Sequence, residues 1–119
     1  MTSRRGVSRN QRSRSELTVI YWRDIPAQVT ARSGRNKMAV ELPPRFQRAI
    51  DRAAMVAGKK TYDQYIEEWR RTSEPCGQEV EAEAKAAAAR IEREYTKDRV
   101  RRIASNGGLE ETLPAGEPA

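Results

Sequence analysis

The alternation of apolar and polar residues predicts strands in the first third of the chain and helices after it. The most apolar run, Leu17 to Trp22, is rich in β-branched and aromatic residues, and both of its alternating sets of side chains are largely apolar. This pattern is typical of a strand that is covered on both faces. Pro26 removes a backbone donor and restrains Ile25, so the strand is predicted to end or bend at Asp24.

Two further short strands are predicted downstream of this central strand. The segment from Ala27 to Ala31 alternates polar and apolar residues, and the segment from Lys37 to Leu42 has its larger apolar side chains on one side. The residues between them, Ser-Gly-Arg-Asn at 33–36, form a turn signal. The pattern therefore predicts a small three-stranded sheet.

A first helix is predicted directly after the third strand. Pro43 and Pro44 end that strand and open the helix, because a proline at the first helical position sacrifices no hydrogen bond. Gly58 ends the helix. The spacing of the apolar residues gives one buried stripe, made of Phe46, Ala49, Ile50, Ala53, Ala54 and Ala57.

A second helix is predicted from Thr61, which is a suitable N-cap, to Arg71. A linker from Ser73 to Gly77 follows. The third predicted helix, from Glu79 to Ser105, is long, alanine-rich and heavily charged, and Asn-Gly-Gly at 106–108 ends it. The apolar face of the second helix is Tyr62, Tyr65, Ile66 and Trp69, and the narrow apolar line of the third is Val80, Ala84, Ala87, Ile91, Tyr95 and Ile103.

Both ends of the chain carry too few apolar residues to offset the entropy of ordering. The predicted organisation is therefore a disordered basic tail at 1–15, one α+β domain at 16–105 and a disordered acidic tail at 106–119. In this α+β domain, two helices cover the three-stranded sheet and the long charged third helix, 79–105, follows.

Positive charge is concentrated at the front of the chain. The net charge is +6, and residues 1–36 hold eight arginines against two acids. Arginines that neutralise phosphates release counterions, so the tail could bind nucleic acid without sequence specificity. The alternatives are a solubilising tail or a start codon placed too far upstream, because no folded nucleic-acid-binding motif follows. The arginines concerned are Arg4, Arg5, Arg9, Arg12 and Arg14.

The composition does not indicate an enzyme that acts alone. With one cysteine, Cys76, and no histidine, the sequence offers no disulfide within a monomer, no Cys/His metal site and no Cys–His nucleophile. A glycine-rich phosphate loop is also missing from the sequence. No cofactor or metal is predicted. The sequence shows no membrane span and no secretory signal, so we expect a cytoplasmic protein.

The polar end of the first strand is the candidate site. Arg23 and Asp24 are either a functional charged pair or a local ion pair in a turn, while Tyr21 and Trp22 either belong to the core or present rings for stacking. Because a domain of this size buries a small share of its surface, we expect a protein partner or a homodimer. Trp22, Arg23, Asp24 and the third helix form the predicted docking surface.

Two blocks of sequence resemble the small bacterial "virulence factor" domain family, which itself resembles the C-terminal part of conserved virulence factor C-type proteins. The likeness covers about residues 16–105, and the blocks are Val19 to Val29 and Arg45 to Met55, with Asp63, Tyr65, Glu68, Trp69, Arg70 and Arg71 downstream. The resemblance supplies no catalytic residues. It implies a non-catalytic accessory or interaction protein of the bacterial cytoplasm, a partner subunit in corrinoid- or folate-linked one-carbon metabolism. A subunit that gains its chemistry from a bound cofactor or partner stays open as an alternative.

Overall fold

The computed structural model describes residues 15–59 and 61–110, and within them strands and helices are mixed as the α+β prediction requires. The predicted positions of the first three strands and of the first helix are confirmed, with ends shifted by a few residues. The element bounds are β1 Ser15–Trp22, β2 Ile25–Ser33, β3 Asn36–Glu41, α1 Pro44–Val56, α2 Tyr62–Ile66, β4 Trp69–Pro75, α3 Val80–Glu94 and α4 Lys97–Ser105.

The sheet is antiparallel, with the strand order β3-β2-β1-β4, so β1 lies between β2 and β4. On its helix-covered face, Leu17 pairs with Ala31 and Val19 pairs with Val29, and all four side chains are buried. The helices α1, α3 and α4 contact β2 on this face. Together the three helices exclude water from this face of the sheet.

The prediction that β1 is covered on both faces is wrong. Thr18 and Ile20, on the other face, are only partly buried, and they line an open groove together with Gln28 and Thr30. Ile20 is apolar by pattern, but the sheet has no second helical layer here among the described residues. The face is instead filled by hydroxyl, amide and charged side chains.

The largest correction concerns residues 61–77. The predicted helix from Thr61 to Arg71 is only five residues long, Tyr62–Ile66, although Thr61 is its N-cap as predicted. The chain then forms β4, which pairs with β1 from Glu16 to Trp22. This pairing satisfies the backbone groups on the free side of β1, and that long-range gain outweighs the local helical spacing of the apolar residues.

The long third helix is also corrected. It breaks at Tyr95 and Thr96 into α3 and α4, and the hydroxyl of Thr96 accepts a hydrogen bond from the Arg99 backbone amide as the N-cap of α4. The break turns α4 back against α1, which buries Val100 and Ile103.

The buried stripe of α1 is confirmed for Phe46, Ala49, Ile50, Ala53 and Ala54, each at most 7 % exposed. Residues 106–110, which were assigned to the acidic tail, lie against the β1–β2 turn. Gly107 and Gly108 are buried there because their positive φ angles, 73° and 93°, fold the chain back after α4. Ser15, the last residue of the predicted tail 1–15, is instead the first residue of β1. The rest of that tail and the residues after 110 lie outside the described part of the chain.

Candidate functional site

The β1–β2 turn consists of Arg23 and Asp24, and its backbone is strained at Arg23. The φ angle of Arg23 is +53°, the one positive value at a non-glycine residue in the described chain. Glycine is the usual residue where a two-residue hairpin turn needs a positive φ. A larger side chain in this left-handed conformation costs about 1–2 kcal/mol. The arginine side chain must therefore make contacts that offset this cost.

Arg23 joins three separate segments of the chain. Its Nη1 donates to the Gly107 carbonyl at 3.0 Å, and its Nη2 donates to Oε2 of Glu68 at 3.3 Å. Its Nε lies 3.2 Å from Oε1 of Glu68 as an ion pair, without the alignment of a hydrogen bond. The ammonium of Lys59 lies 3.1 Å from the same carboxylate. Because the Arg23 side chain is only 16 % exposed, this network is mainly structural.

Asp24 contacts a different set of residues. Its backbone amide donates to the Gly108 carbonyl at 2.8 Å, and its Oδ2 accepts from the Glu110 amide at 2.7 Å. Its Oδ1 lies 3.2 Å from Nη2 of Arg70, whose Nε donates to the Arg23 carbonyl at 2.8 Å. Asp24 thus holds the segment after α4 on one side and β4 on the other.

The two turn residues therefore do not pair with each other. Arg23 pairs with Glu68 and Asp24 pairs with Arg70, so the expected local ion pair between neighbours is replaced by two long-range pairs. Adjacent residues in a tight turn point in different directions, which leaves each free to contact its own segment. The sequence identified the polar turn but not its partners.

Two tyrosine rings near the β1–β2 turn contact arginine side chains. The guanidinium of Arg70 lies 4.3 Å from the centre of the Tyr21 ring, and that of Arg99 lies 4.0 Å from the centre of the Tyr95 ring. Arg99 also donates to both carboxylate oxygens of Glu110, at 2.6 and 2.9 Å. Burial, followed by the nearby Tyr21, raises the pKa of Tyr95, so its hydroxyl stays neutral at physiological pH. The rings serve as platforms for the arginines.

Trp22 is corrected from a surface residue to a core residue. It has 0 % exposure, its Nε1 donates to the Tyr65 carbonyl at 2.8 Å, and its ring stacks on Tyr65 at 5.6 Å between centres. Among the three predicted docking residues, Asp24 has a side chain that is 34 % exposed. The side chain of Arg70, which lies beside it and was not among the three, is 45 % exposed. The accessible part of the site is therefore Asp24 with Arg70.

Sequence reasoning missed four partners of this site: Glu68, Arg70, Arg99 and Glu110. Glu68 and Arg70 are among the residues that carry the family resemblance, so that block contained a usable signal. Glu110 follows the last helix in a stretch with no apolar pattern. The candidate nucleic-acid arginines Arg4, Arg5, Arg9, Arg12 and Arg14 lie outside the described residues.

The described residues contain no cluster of three or more histidine, cysteine or acidic residues that could hold a metal ion. Burial and the carboxylates of Glu83, Glu16 and Glu74 raise the pKa of the Cys76 thiol, which lowers the fraction present as the nucleophilic thiolate. Within 15–59 and 61–110, no helix is long and apolar enough to cross a membrane. The chemistry that this site offers is charge pairing and hydrogen bonding.

Glu68→Gln is expected to reduce stability at neutral pH and to weaken its decline in acid. Arg23, followed by Lys59, lowers the pKa of Glu68 from its ordinary value of 4.5, so the folded state binds fewer protons than the unfolded state. Its stabilising contribution, about 1 kcal/mol for a partly exposed network, is complete above the unfolded pKa and is lost as pH falls through the lower folded pKa. Urea midpoints measured from roughly pH 7 to pH 3 test this.

Glu67→Gln is the matched control for this experiment, because Glu67 is exposed and forms no ion pair with another described residue. It removes the same charge one position earlier and should leave the pH profile parallel to that of the wild type. Parallel profiles for Glu68→Gln and wild type would contradict the assignment of Glu68.

Comparison with known proteins identifies a family. No curated protein matches the chain, and no solved structure matches it. The family model described as "Virulence factor" matches residues 20–104, which include the β1–β2 turn, α1, β4 and the two helices after it. Because this match covers more than half of the chain, the protein belongs to the virulence factor family.

Proposed function

We propose that this chain is a non-catalytic interaction protein that binds a partner strand at the outer edge of β4. The observation that carries the proposal is the exposure of this strand: Trp69 is half-buried and all six residues from Arg70 to Pro75 are exposed. β4 lies at the end of the sheet, and among the strands of the described residues it pairs with β1 alone. An edge strand with a free row of backbone groups is a template for another strand.

The backbone groups that face outward follow from the register with β1. The Arg23 amide donates to the Glu68 carbonyl, and the Cys76 amide donates to the Ser15 carbonyl. These two residue pairs belong to the β1–β4 register, so every second pair between them is also a hydrogen-bonded pair. In an antiparallel ladder the hydrogen-bonded pairs alternate with non-bonded ones. Trp69, Arg71 and Ser73 therefore point their amides and carbonyls away from β1.

The β1–β2 turn holds this edge in place. Arg70 is bound to the Asp24 carboxylate and to the Arg23 carbonyl, and its guanidinium lies on the Tyr21 ring. These contacts fix the first residues of β4 although none of the described helices packs closely on the strand. A preorganised strand loses less entropy when a partner strand pairs with it.

A second copy of this chain is the occupant that the charges of β4 favour. Antiparallel pairing about a two-fold axis at Thr72 places Arg71 and Ser73 opposite each other as hydrogen-bonded pairs. It also sets Arg70 opposite Glu74 of the second copy, and opposite charges across strands are stabilising. Moving the two-fold axis by one residue, to Arg71, places Arg71 opposite Arg71 of the second copy, and these like charges repel each other.

Ser73→Pro is expected to abolish dimerisation and keep the fold. It removes an outward amide, while the ladder to β1 uses the residues on either side. Ser73→Ala is the matched control, because it removes the same hydroxyl, which lies 3.0 Å from that of Thr18, and keeps the amide. Light scattering across a concentration series should show a dimer for wild type and for Ser73→Ala, and a monomer for Ser73→Pro.

A wild type that stays monomeric at every concentration, or a Ser73→Pro variant that dimerises equally well, would overturn the proposal. Circular dichroism and thermal melting of each variant confirm that the monomer is folded. The finer role in the cytoplasm, as a partner subunit in corrinoid- or folate-linked one-carbon metabolism, rests on the family resemblance. It predicts a thermal shift on addition of a cobalamin or a folate, and unchanged melting with both would contradict it.

A further inference from the structure

A groove between α1 and α4 is lined by five cations. Its volume is about 350 Å³, and its floor is formed by the small apolar residues Ala49, Val100 and Ala104. One wall comes from α1 and the other from α4. The cations are Arg45, Arg48 and Arg52 on α1, with Lys97 and Arg101 on α4.

The charges of this groove are not balanced by acidic residues within 15–59 and 61–110. No acid is among the described residues that line it, and Arg48, Arg52 and Lys97 make no ion pair with another residue of 15–59 or 61–110. Arg101 lies 3.0 Å from Asp98, but both side chains are more than 60 % exposed and such pairs are weak. The groove keeps a surplus of positive charge.

The helices themselves do not favour this arrangement. Arg48 and Arg52 are four residues apart on α1, and Lys97 and Arg101 are four residues apart on α4, so each helix carries a repulsive like-charge pair. α1 has no acidic residue in its first turn, where the helix dipole favours one. An anion in the groove would reduce the repulsion within the like-charge pairs and would interact favourably with the dipole at the N-terminus of α1.

The two helices also point their N-termini to the same end of the groove. Nη2 of Arg45, in the first turn of α1, donates at 3.1 Å to the carbonyl of Tyr95, just before the N-cap of α4. At the other end, Ala57 after α1 lies beside Gly107 after α4. The partial positive charges of both N-termini therefore add to the five side chains.

We infer that this groove binds the phosphodiester backbone of a nucleic acid, without reading its sequence. Arg45 and Arg52 are seven residues apart, about 10 Å along the helix, so the cations follow the groove rather than form one point of charge. Guanidinium groups bind phosphate oxygens in pairs. None of the described residues that line the groove is aromatic, so they offer contacts to phosphates and no platform for bases. This site is independent of the proposed pairing at β4.

The test uses the full chain with Arg48, Arg52 and Arg101 replaced together by glutamine. The matched control replaces Arg32, Arg35 and Lys37 by glutamine, which removes the same charge from exposed positions around the β2–β3 turn. Every variant keeps the N-terminal arginines, so their contribution to binding is common to all. Fluorescence anisotropy with two labelled single strands of unrelated sequence measures binding across a salt series.

The groove variant is expected to bind both oligonucleotides at least tenfold more weakly than the wild type, and the control variant within about threefold of it. Losing three phosphate contacts should also reduce the slope of log K against log salt by about 2. The groove variant should melt at or above the temperature of the wild type, because like-charge repulsion is removed.

Three results would overturn the inference. The first is wild-type affinity in the groove variant. The second is an equal loss of affinity in the control variant, which would show that binding depends on net charge alone. The third is competition by inorganic phosphate, ATP or polyglutamate as effective as that by unlabelled oligonucleotide, which would assign the groove to a small phosphate ligand or to an acidic protein.

Discussion

Trp22→Ala is expected to lower the free energy of unfolding by about 3–5 kcal/mol, because replacing a large buried aromatic residue by alanine loses its transfer energy and leaves a cavity. Trp22 has 0 % exposure, and its ring stacks on Tyr65 and lies against Gly108. The loss is a large part of the about 5–15 kcal/mol that stabilises a typical domain. Urea denaturation followed by circular dichroism measures it.

Trp69→Ala is the control for this variant. Trp69 is the same residue type, stands opposite Trp22 in the β1–β4 register and also contacts Tyr65, but it is only partly buried. It should cost clearly less than Trp22→Ala. Equal losses for the two variants, or a loss below about 1.5 kcal/mol for Trp22→Ala, would contradict the placement of Trp22 as the central core residue at this end of the sheet.

Gly108→Ala is expected to destabilise the fold by about 2–5 kcal/mol, from two causes that add. The φ angle of Gly108 is +93°, which a residue with a β-carbon rarely adopts, and a methyl group there would lie 2.9 Å from Cζ3 of Trp22 and 3.3 Å from the methyl of Ala53. The ring of Trp22 is fully buried and stacks on Tyr65, so it cannot move aside without loss of packing. Thermal and urea unfolding measure the effect.

Gly34→Ala separates the two causes. Gly34 in the β2–β3 turn also has a positive φ, +61°, but a methyl group there meets nothing within 4 Å. This variant should cost only the backbone term, about 1–2 kcal/mol. If Gly108→Ala costs no more than Gly34→Ala, the close approach of the last turn to Trp22 is contradicted.

The local patterns of the sequence were sufficient for the elements that carry a one-sided apolar stripe. The buried residues of α1 could be read from their spacing, since an amphipathic helix repeats its core contacts every three to four residues. The N-cap at Thr61 was equally local, because a capping hydroxyl acts within its own turn. These features need no knowledge of the rest of the chain.

β4 could not be predicted in the same way. Its residues from Arg70 to Pro75 are exposed, so the strand has no buried face and leaves no apolar alternation in the sequence. What makes it a strand is hydrogen bonding to β1, which lies about fifty residues earlier in the chain. Local spacing of Tyr65 and Trp69 favoured a helix, and only the tertiary pairing decided against it.

The candidate site shows the same division. By itself the sequence determined that an apolar strand ends in a charged Arg23-Asp24 turn before Pro26, and that no cysteine–histidine chemistry is present. Only the tertiary structure decided that Trp22 is interior, and that the two turn residues pair with Glu68 and Arg70. The physical reason is that periodicity and turn propensity act over a few residues, whereas burial and ion pairing depend on segments that fold against the turn from forty or more positions away.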